Sequence, residues 1–242
     1  MVNIFMYILK YFDNQIPKDL HEDVYNYIYS FNWQARYRNM PDPSIISSTR
    51  GFRNDLNPYT LKKTIYRCGF GKNLDTLKFH QPIFNLFNYI NSNIFNDKFL
   101  LEGKPINHYQ QYGFLESDDC SLDKDFLGHL AYLNAEPYEP VKRTRIPYRD
   151  WDNSPLNDER FFTIAFVANQ IWNPVYHGEM FFYNDNDQHV GNFEHFIPNI
   201  PGRVILYDSR YLHNSKPTGT HSKELALRIK FRVKLKEGES LV

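Results

Sequence analysis

The C-terminal half of the chain is a series of short apolar segments separated by turn residues, and this pattern limits the possible folds most strongly. Five segments have the length and the β-branched and aromatic content of strands. They are residues 163–169 (TIAFVAN), 179–183 (EMFFY), 193–197 (FEHFI), 203–207 (RVILY) and 226–235 (ALRIKFRVKL). Pro201 and Gly202 suit the centre of a type II turn, and NDND at 184–187 predicts a hairpin turn. The region from about residue 128 is therefore predicted to form antiparallel strands.

Two amphipathic helices are predicted before this region. Each begins beside a proline and repeats apolar residues on one face. The first follows Pro17, with Leu20, Val24, Ile28 and Phe31, and the second follows Pro82, with Ile83, Phe87, Ile90 and Ile94. Residues 34–75 are polar and give no assignment. We expect a single domain over 1–242, mainly β, with a helical N-terminal part (1–127) packed on a jelly-roll core (128–242).

Composition argues against several classes of protein. Lys plus Arg equals Asp plus Glu, at 28 each, so the chain has no net charge that would attract it to nucleic acid or to an anionic membrane. The two cysteines, Cys68 and Cys120, form no CxxC pair, which argues against a disulfide scaffold or a thiolate zinc site. The apolar stretch at residues 4–9 is too short for a signal segment, and no run reaches the length of a membrane span. We expect a soluble, cytoplasmic protein.

Three residues are candidates for a metal and cofactor site. Asp150 lies in IPYRDWDN, and His213 lies in YDSRYLHNSKP directly after a predicted strand. Carboxylate oxygen and imidazole nitrogen are suitable ligands for Fe(II). Arg228, in the last predicted strand, can form a bidentate pair with a carboxylate. Taken alone, each has an ordinary structural explanation: a turn for Asp150, a structural or surface histidine for His213, and a strand face for Arg228.

The last predicted strand has one apolar and one basic face. Its apolar residues are Leu225, Leu227, Ile229, Phe231, Val233 and Leu235, and they alternate with Arg228, Lys230, Arg232 and Lys234. For Lys230, Arg232 and Lys234 the pattern favours the solvated face of an edge strand.

The combination of motifs resembles the prolyl-hydroxylase-like branch of the iron(II)/2-oxoglutarate-dependent oxygenases, particularly its phage and bacterial forms. The matching segments are YRD (148–150), FVANQIWNPVYHGEMFFY (166–183), IPGRVILYDSRYLHNSKP (200–217) and LRIKF (227–231). The opening YFDNQIPKDLHEDVYNYI (11–28) is also similar.

The resemblance implies a double-stranded β-helix that uses Fe(II) and 2-oxoglutarate to hydroxylate a C–H bond of a prolyl or other amino-acid or peptide substrate, with release of succinate and carbon dioxide. It further implies metal ligands at Asp150 and His213, and cofactor contacts at Arg228, Tyr138 and Met180. It assigns no separate catalytic residue.

The chain departs from the family pattern in the metal site. Tyr148 stands where the family has its first ligand histidine, and His177 replaces the first glycine of the family's GGE. His177 is the preferred substitute ligand, because a second imidazole suits Fe(II) best. The alternatives are a Tyr148 phenolate, a two-residue site that is weak or inactive, Asp152 in place of Asp150, and a triad of His177, Glu179 and His213.

Two alternative functions follow from other features. The missing histidine favours a degenerate oxygenase fold that acts as a binding module without catalysis. A basic run could follow a phosphate backbone, but it is more typical of a solvated loop near an anionic ligand, so a nucleic-acid partner is not expected. The run consists of Lys142, Arg143, Arg145 and Arg149, flanked by Tyr148 and Trp151.

Overall fold

The computed structural model describes residues 7–30, 66–102, 130–136, 150, 161–183, 193–216, 218 and 225–241. Its α-helices are α1 (Lys18–Ser30), α2 (Leu74–Lys78) and α3 (Gln81–Phe95). Its strands are β1 (Leu9–Phe12), β2 (Tyr66–Phe70), β3 (Phe99–Leu101), β4 (Ala131–Glu136), β5 (Phe161–Val167), β6 (Met180–Tyr183), β7 (Phe193–Ile197), β8 (Val204–Asp208), β9 (His213–Ser215) and β10 (Ala226–Leu235). A short 3₁₀ turn covers Pro174–Tyr176.

The strands form two antiparallel sheets. The larger sheet has the order β1-β8-β5-β10-β4-β2, with β3 pairing beside β4 on β10, and the smaller sheet has the order β7-β6-β9. All five strands predicted from the sequence are present, and the mainly β, antiparallel fold is confirmed. The turn at Pro201 and Gly202 is confirmed too, because Arg203 N–H donates to Ile200 O at 3.1 Å and Gly202 has φ 73°. The predicted turn at 184–187 lies outside the described residues.

The helices cover one face of the larger sheet. Val24 and Ile28 of α1 and Ile83, Phe87 and Ile90 of α3 are buried, as their spacing predicts. They form one apolar core with the apolar face of β10, namely Leu227, Ile229, Phe231 and Val233. No helix among the described residues is both long and apolar enough to cross a membrane.

The sequence pattern suggested a helical part before residue 128. The described residues of that part are not purely helical. They also contribute β1, β2 and β3 to the larger sheet. β1 and β3 have four and three residues, too few to show an alternation. β2 contains a glycine, Gly69, which weakens a strand pattern.

The smaller sheet packs on the opposite face of the larger one. Met180 and Phe182 of β6 and Ile197 of β7 contact residues of β5 and β8, including Val167 and Tyr207. Because side chains alternate along a strand, the residues of β10 between its apolar positions face this same space. The space between the sheets therefore receives Arg228, Lys230 and Arg232, all of them buried.

Candidate active site

Asp150 and His213 meet between the two sheets. His213 is the first residue of β9, and its Nε2 lies 3.6 Å from Oδ2 of Asp150, with both side chains almost fully buried. Lys230 reaches the pair from β10 in the opposite sheet. Its Nζ lies 3.0 and 2.9 Å from the two carboxylate oxygens of Asp150 and 3.2 Å from Nε2 of His213. The ammonium group therefore bonds to both predicted metal ligands at once.

Hydrogen bonds fix the tautomer of His213. Its Nδ1 lies 2.8 Å from the backbone oxygen of Tyr211, which can only accept, so Nδ1 carries the proton. Nε2 is then an acceptor, and it receives the N–H of Lys230. Phe182 stacks on the imidazole with ring centroids 5.6 Å apart. The ring is thus held with its Nε2 lone pair directed at the ammonium group.

Two tyrosines also donate hydrogen bonds to Asp150. The Tyr132 hydroxyl donates to Oδ1 at 3.2 Å, and the Tyr207 hydroxyl donates to Oδ2. The Lys230 ammonium also lies 5.5 Å from the centroid of the Tyr207 ring, within the range of a cation–π contact. The carboxylate is therefore surrounded by donors from β4, β8 and β10.

The pKa values show a neutral imidazole beside an ionised carboxylate. Burial lowers the pKa of His213, and the neighbouring Lys230 charge lowers it too, against the opposing effect of Asp150. Burial raises the pKa of Asp150, but the Lys230 ammonium, His213 and the Tyr207 hydroxyl together bring it well below its usual range. The cluster holds one negative and one positive charge, on Asp150 and Lys230.

Arg228 lies two residues from Lys230 on the same face of β10. Its Nη1 donates to the Ser215 hydroxyl at 3.2 Å, and its Nη2 donates to Oδ1 of Asn199 at 3.0 Å. The Nδ2 amide of Asn199 is buried and has no hydrogen-bond partner within the described part of the chain. A Cβ at Gly178 would lie 3.8 Å from Nη2, so the glycine leaves the backbone close to the guanidinium.

The predicted solvated edge strand is wrong for Lys230 and Arg232. β10 is central, because it pairs with β5 on one side and with β4 on the other. Lys230 and Arg232 are buried, and the Arg232 guanidinium lies 4.8 Å from the centroid of the Tyr132 ring. Lys234, near the end of the strand, is the partly exposed one, and its Nζ lies 3.2 Å from Oε2 of Glu102.

His177 is not brought to Asp150 and His213. Its Nδ1 lies 3.2 Å from Oε1 of Glu179 and 3.0 Å from Nζ of Lys216, and its side chain is 40% exposed. Among the residues that the structure describes, no three His, Cys, Asp or Glu side chains come together as a metal site. His177 as a third ligand stays a prediction.

The other predicted site residues divide into two groups. Met180 is buried, and it pairs across the smaller sheet with Ser215, the hydrogen-bond partner of Arg228. Tyr138, Tyr148 and Asp152 lie outside the described residues, as does the basic run within 142–149.

Sequence reasoning missed several residues of the site. Tyr132, Tyr207, Asn199 and Ser215 gave no signal, because single hydroxyl and amide residues are common in every strand and turn. Lys230, in contrast, has a signal in the sequence. It shares a face with Arg228, so a prediction that turns Arg228 inward turns Lys230 inward as well.

The donor set fits a metal ion only in part. Asp150 and His213 supply the right atom types, close together and in a dry space. However, the Lys230 ammonium is a cation already bonded to both donors, and all three of its N–H groups are directed at Asp150 and His213. With Lys230 in this position the residues do not fit a metal ion, and no step through iron is derived.

The donors around Arg228 suit a carboxylate. A carboxylate has two acceptor oxygens, and the guanidinium offers a planar fork of donors. The amide of Asn199, buried beside it, supplies a further donor that has no acceptor among the described residues. An anionic group bound there would satisfy that donor.

Comparison with known proteins gives similarities to solved structures at low sequence identity. No family model matches the chain, and no curated protein matches it. The chain is similar to a Pseudomonas putida prolyl-4-hydroxylase, with TM-score 0.47, 11% identity, and 96% and 94% of the two chains covered. It is similar to a prolyl hydroxylase from Trichoplax adhaerens in complex with a peptide fragment of the hypoxia inducible factor oxygen degradation domain, with TM-score 0.49, 13% identity, and 95% and 84% covered. It is also similar to the epimerase SnoN in complex with Fe³⁺, alpha ketoglutarate and nogalamycin RO, with TM-score 0.43, 10% identity, and 94% and 78% covered.

Proposed function

We propose that the protein is an Fe(II)- and 2-oxoglutarate-dependent oxygenase. It would hydroxylate a C–H bond of a prolyl or other amino-acid or peptide substrate and release succinate and carbon dioxide. The observation that carries the proposal is the convergence of Asp150, His213 and Arg228 on the space between two antiparallel sheets. The same placement supports a jelly roll, in which the larger and smaller sheets are the two halves of a double-stranded β-helix.

Arg228 binds the distal carboxylate of 2-oxoglutarate in this proposal. Arg228 is 1% exposed, so a charge-assisted bidentate pair there is shielded from water. The Asn199 amide donates a further hydrogen bond, and the Ser215 hydroxyl accepts from Nη1 and positions the fork. Met180 supplies apolar contact at the side of the pocket, and Tyr138 is proposed as a further contact from the resemblance alone.

In the same proposal, Asp150 and His213 would supply two ligands for iron once the Lys230 ammonium is withdrawn from them. The bond from His213 Nδ1 to the Tyr211 carbonyl keeps Nε2 unprotonated, as a ligand nitrogen must be. The third ligand, His177 or Tyr148, stays a prediction. If His177 ligates, His177→Ala should remove metal binding as completely as His213→Ala. If Tyr148 ligates, Tyr148→Phe should be the damaging change, and the Fe(III) form should show a phenolate charge-transfer band.

The decisive experiment measures succinate. Purified protein is incubated with Fe(II), ascorbate and 2-oxoglutarate, with and without proline-containing peptides and free amino acids. We expect iron-dependent succinate formation above the background of a His213→Ala control. If no substrate gives succinate and the protein binds no Fe(II), the proposal is wrong.

A binding module without catalysis is the second candidate, and the position of Lys230 favours it. A pair that is neutralised by an internal ammonium group needs no metal in order to remain buried. Such a module would retain the carboxylate pocket at Arg228. Calorimetric titration of 2-oxoglutarate in the presence of a chelator, together with elemental analysis, separates the two candidates. Metal-independent binding without succinate formation supports the module.

A further inference from the structure

The ammonium group of Lys230 is positioned as a bound cation would be. It is shared by a carboxylate and an imidazole that come from separate parts of the chain, at 2.9–3.2 Å from their three acceptor atoms. Lys230 itself is 1% exposed and lies in the middle of the central strand β10. Its Cα partners across the sheet are Ala165 and Tyr132.

Because this cluster is buried, its negative charge has to be neutralised within the cluster. A buried carboxylate without a partner is strongly destabilising, so Asp150 requires a positive charge or a proton. The Tyr132 and Tyr207 hydroxyls donate hydrogen bonds but bring no charge. Within the described cluster, Lys230 is the group that neutralises Asp150, since His213 donates from Nδ1 to the Tyr211 carbonyl and accepts from Lys230 at Nε2.

We propose that Lys230 is an internal cation that replaces a metal ion between Asp150 and His213. The chain thereby keeps this pair folded and buried without any metal. A divalent ion and the Lys230 ammonium exclude each other, so a metal is bound only when the ammonium is withdrawn from the pair. This inference concerns metal occupancy alone, and it holds whether or not the protein turns over 2-oxoglutarate.

The test replaces Lys230 by Met, which keeps the length of the side chain and removes the charge. Co(II) is the probe, because its visible absorption reports nitrogen and oxygen ligands directly. We expect Lys230→Met to melt several degrees below the wild type in a chelator, and Co(II) to restore most of the loss. We expect Co(II) to bind Lys230→Met at least about tenfold more tightly than it binds the wild type.

Three controls locate the effect. Lys234→Met removes a lysine from the same strand and the same face at the partly exposed end, and it should leave Co(II) affinity unchanged. His213→Ala added to Lys230→Met should abolish the gain, because the metal then loses its imidazole ligand. The double variant Asp150→Asn with Lys230→Met should fold in a chelator and bind no Co(II), since it removes both charges together.

Two results would overturn the inference. Equal Co(II) affinity in the wild type and in Lys230→Met overturns the inference. So does a Lys230→Met protein that fails to fold even with Co(II) while the double variant folds, because the metal then cannot replace the ammonium. A lack of succinate formation in the wild type counts against the oxygenase proposal and leaves these results unaffected.

Discussion

At the scale of single residues, the site consists of buried charges placed in two groups on one strand face. Lys230 is bonded to Asp150 and His213, whereas Arg228 is bonded to two neutral side chains, Ser215 and Asn199. A cation already paired with a buried carboxylate has little remaining attraction for a second anion. Arg228 and Lys230 therefore have different roles, although only one residue separates them in the sequence.

Replacing Arg228 by Met should weaken 2-oxoglutarate binding at least about tenfold, because a charge-assisted bidentate pair contributes roughly 1.5–3 kcal/mol. Calorimetric titration measures the change, and far-ultraviolet circular dichroism checks the fold. Arg232→Met is the matched control, since it removes the same charge from the same face near Tyr132. An affinity that falls equally in both variants would show that the total charge matters and the pocket does not.

Replacing Tyr207 by Phe should lower the free energy of unfolding by about 1.5–3 kcal/mol, the range for a hydrogen bond to a charged group. Its hydroxyl donates to the buried carboxylate of Asp150. Tyr211→Phe provides the comparison, because its hydroxyl donates at 2.6 Å to Glu194, which is exposed. Urea unfolding of both variants should show the larger loss for Tyr207→Phe, and equal losses would contradict the role given to burial.

Part of this site is predictable from the sequence, and part of it depends on how the strands pair. Asp150, His213 and Arg228 were identified by motif, and the structure places all three in one buried space. The sequence pattern favours a solvated position for Lys230, although Lys230 shares a face with Arg228. A basic face on a strand resembles a solvated face in every local property. Only the pairing of β10 on both sides shows it to be interior, and that pairing is not encoded locally.

At the scale of secondary structure, the connection between β2 and α2 shows how closely elements approach each other. Gly71 has φ 63°, and a Cβ there would lie 2.5 Å from the backbone of Leu77 in α2. α2 is held in place by a capping box between Asn73 and Thr76. The backbone of the strand end and that of the helix are thus in contact at a position that admits only glycine.

Replacing Gly71 by Ala should lower the free energy of unfolding by about 3 kcal/mol, from overpacking together with left-handed backbone strain. Gly238→Ala is the matched control. Gly238 also has a positive φ, at 82°, but a Cβ there meets nothing within 4 Å, so the loss should be about 1 kcal/mol. Denaturant unfolding measures both, and similar losses would show that strain alone sets the effect.

The sequence predicts α1, α3 and the strands β5, β6, β7, β8 and β10, whereas it does not predict α2 or the strands β1, β2, β3, β4 and β9. α1 and α3 have 13 and 15 residues, enough to show a helical period, and β10 has ten residues, enough to show alternation. β1, β3 and β9 have three or four residues and exist because a neighbour offers an edge for pairing. Their formation depends on tertiary contacts, which a local pattern does not contain.

At the scale of the whole molecule, an ion pair ties the N-terminal segment to the turn that precedes β8. Arg203 donates from Nε and Nη2 to the two carboxylate oxygens of Asp13 at 2.6 and 2.7 Å, and its guanidinium lies 4.5 Å from the centroid of the Tyr11 ring. Asp13 is far from Arg203 in sequence, so the pair closes a long loop. It secures β1 along the edge of the larger sheet.

Replacing Asp13 by Asn should lower the free energy of unfolding by about 1 kcal/mol at pH 7, at the low end for a charged pair because Asp13 is partly exposed. The hydrogen bonds from Arg203 hold the pKa of Asp13 below its usual value. The contribution is therefore complete above about pH 4 and is lost as the pH falls through the lowered folded value. Unfolding of both proteins between pH 7 and pH 2 should show the difference shrinking below about pH 4. A difference that is constant with pH would contradict this assignment.

The central position of β10 determines the order in which the larger sheet can assemble. Without residues 226–235 the sheet separates into β1-β8-β5 and β4-β2, because β10 joins them, and β3 loses the strand with which it pairs. While the chain is being synthesised, β5 and β4 each present an unpaired row of backbone donors and acceptors until this late segment emerges. Open strand edges of this kind pair readily with other chains. Aggregation during synthesis is thus the hazard of placing the joining strand so late, and slower translation prolongs the exposure.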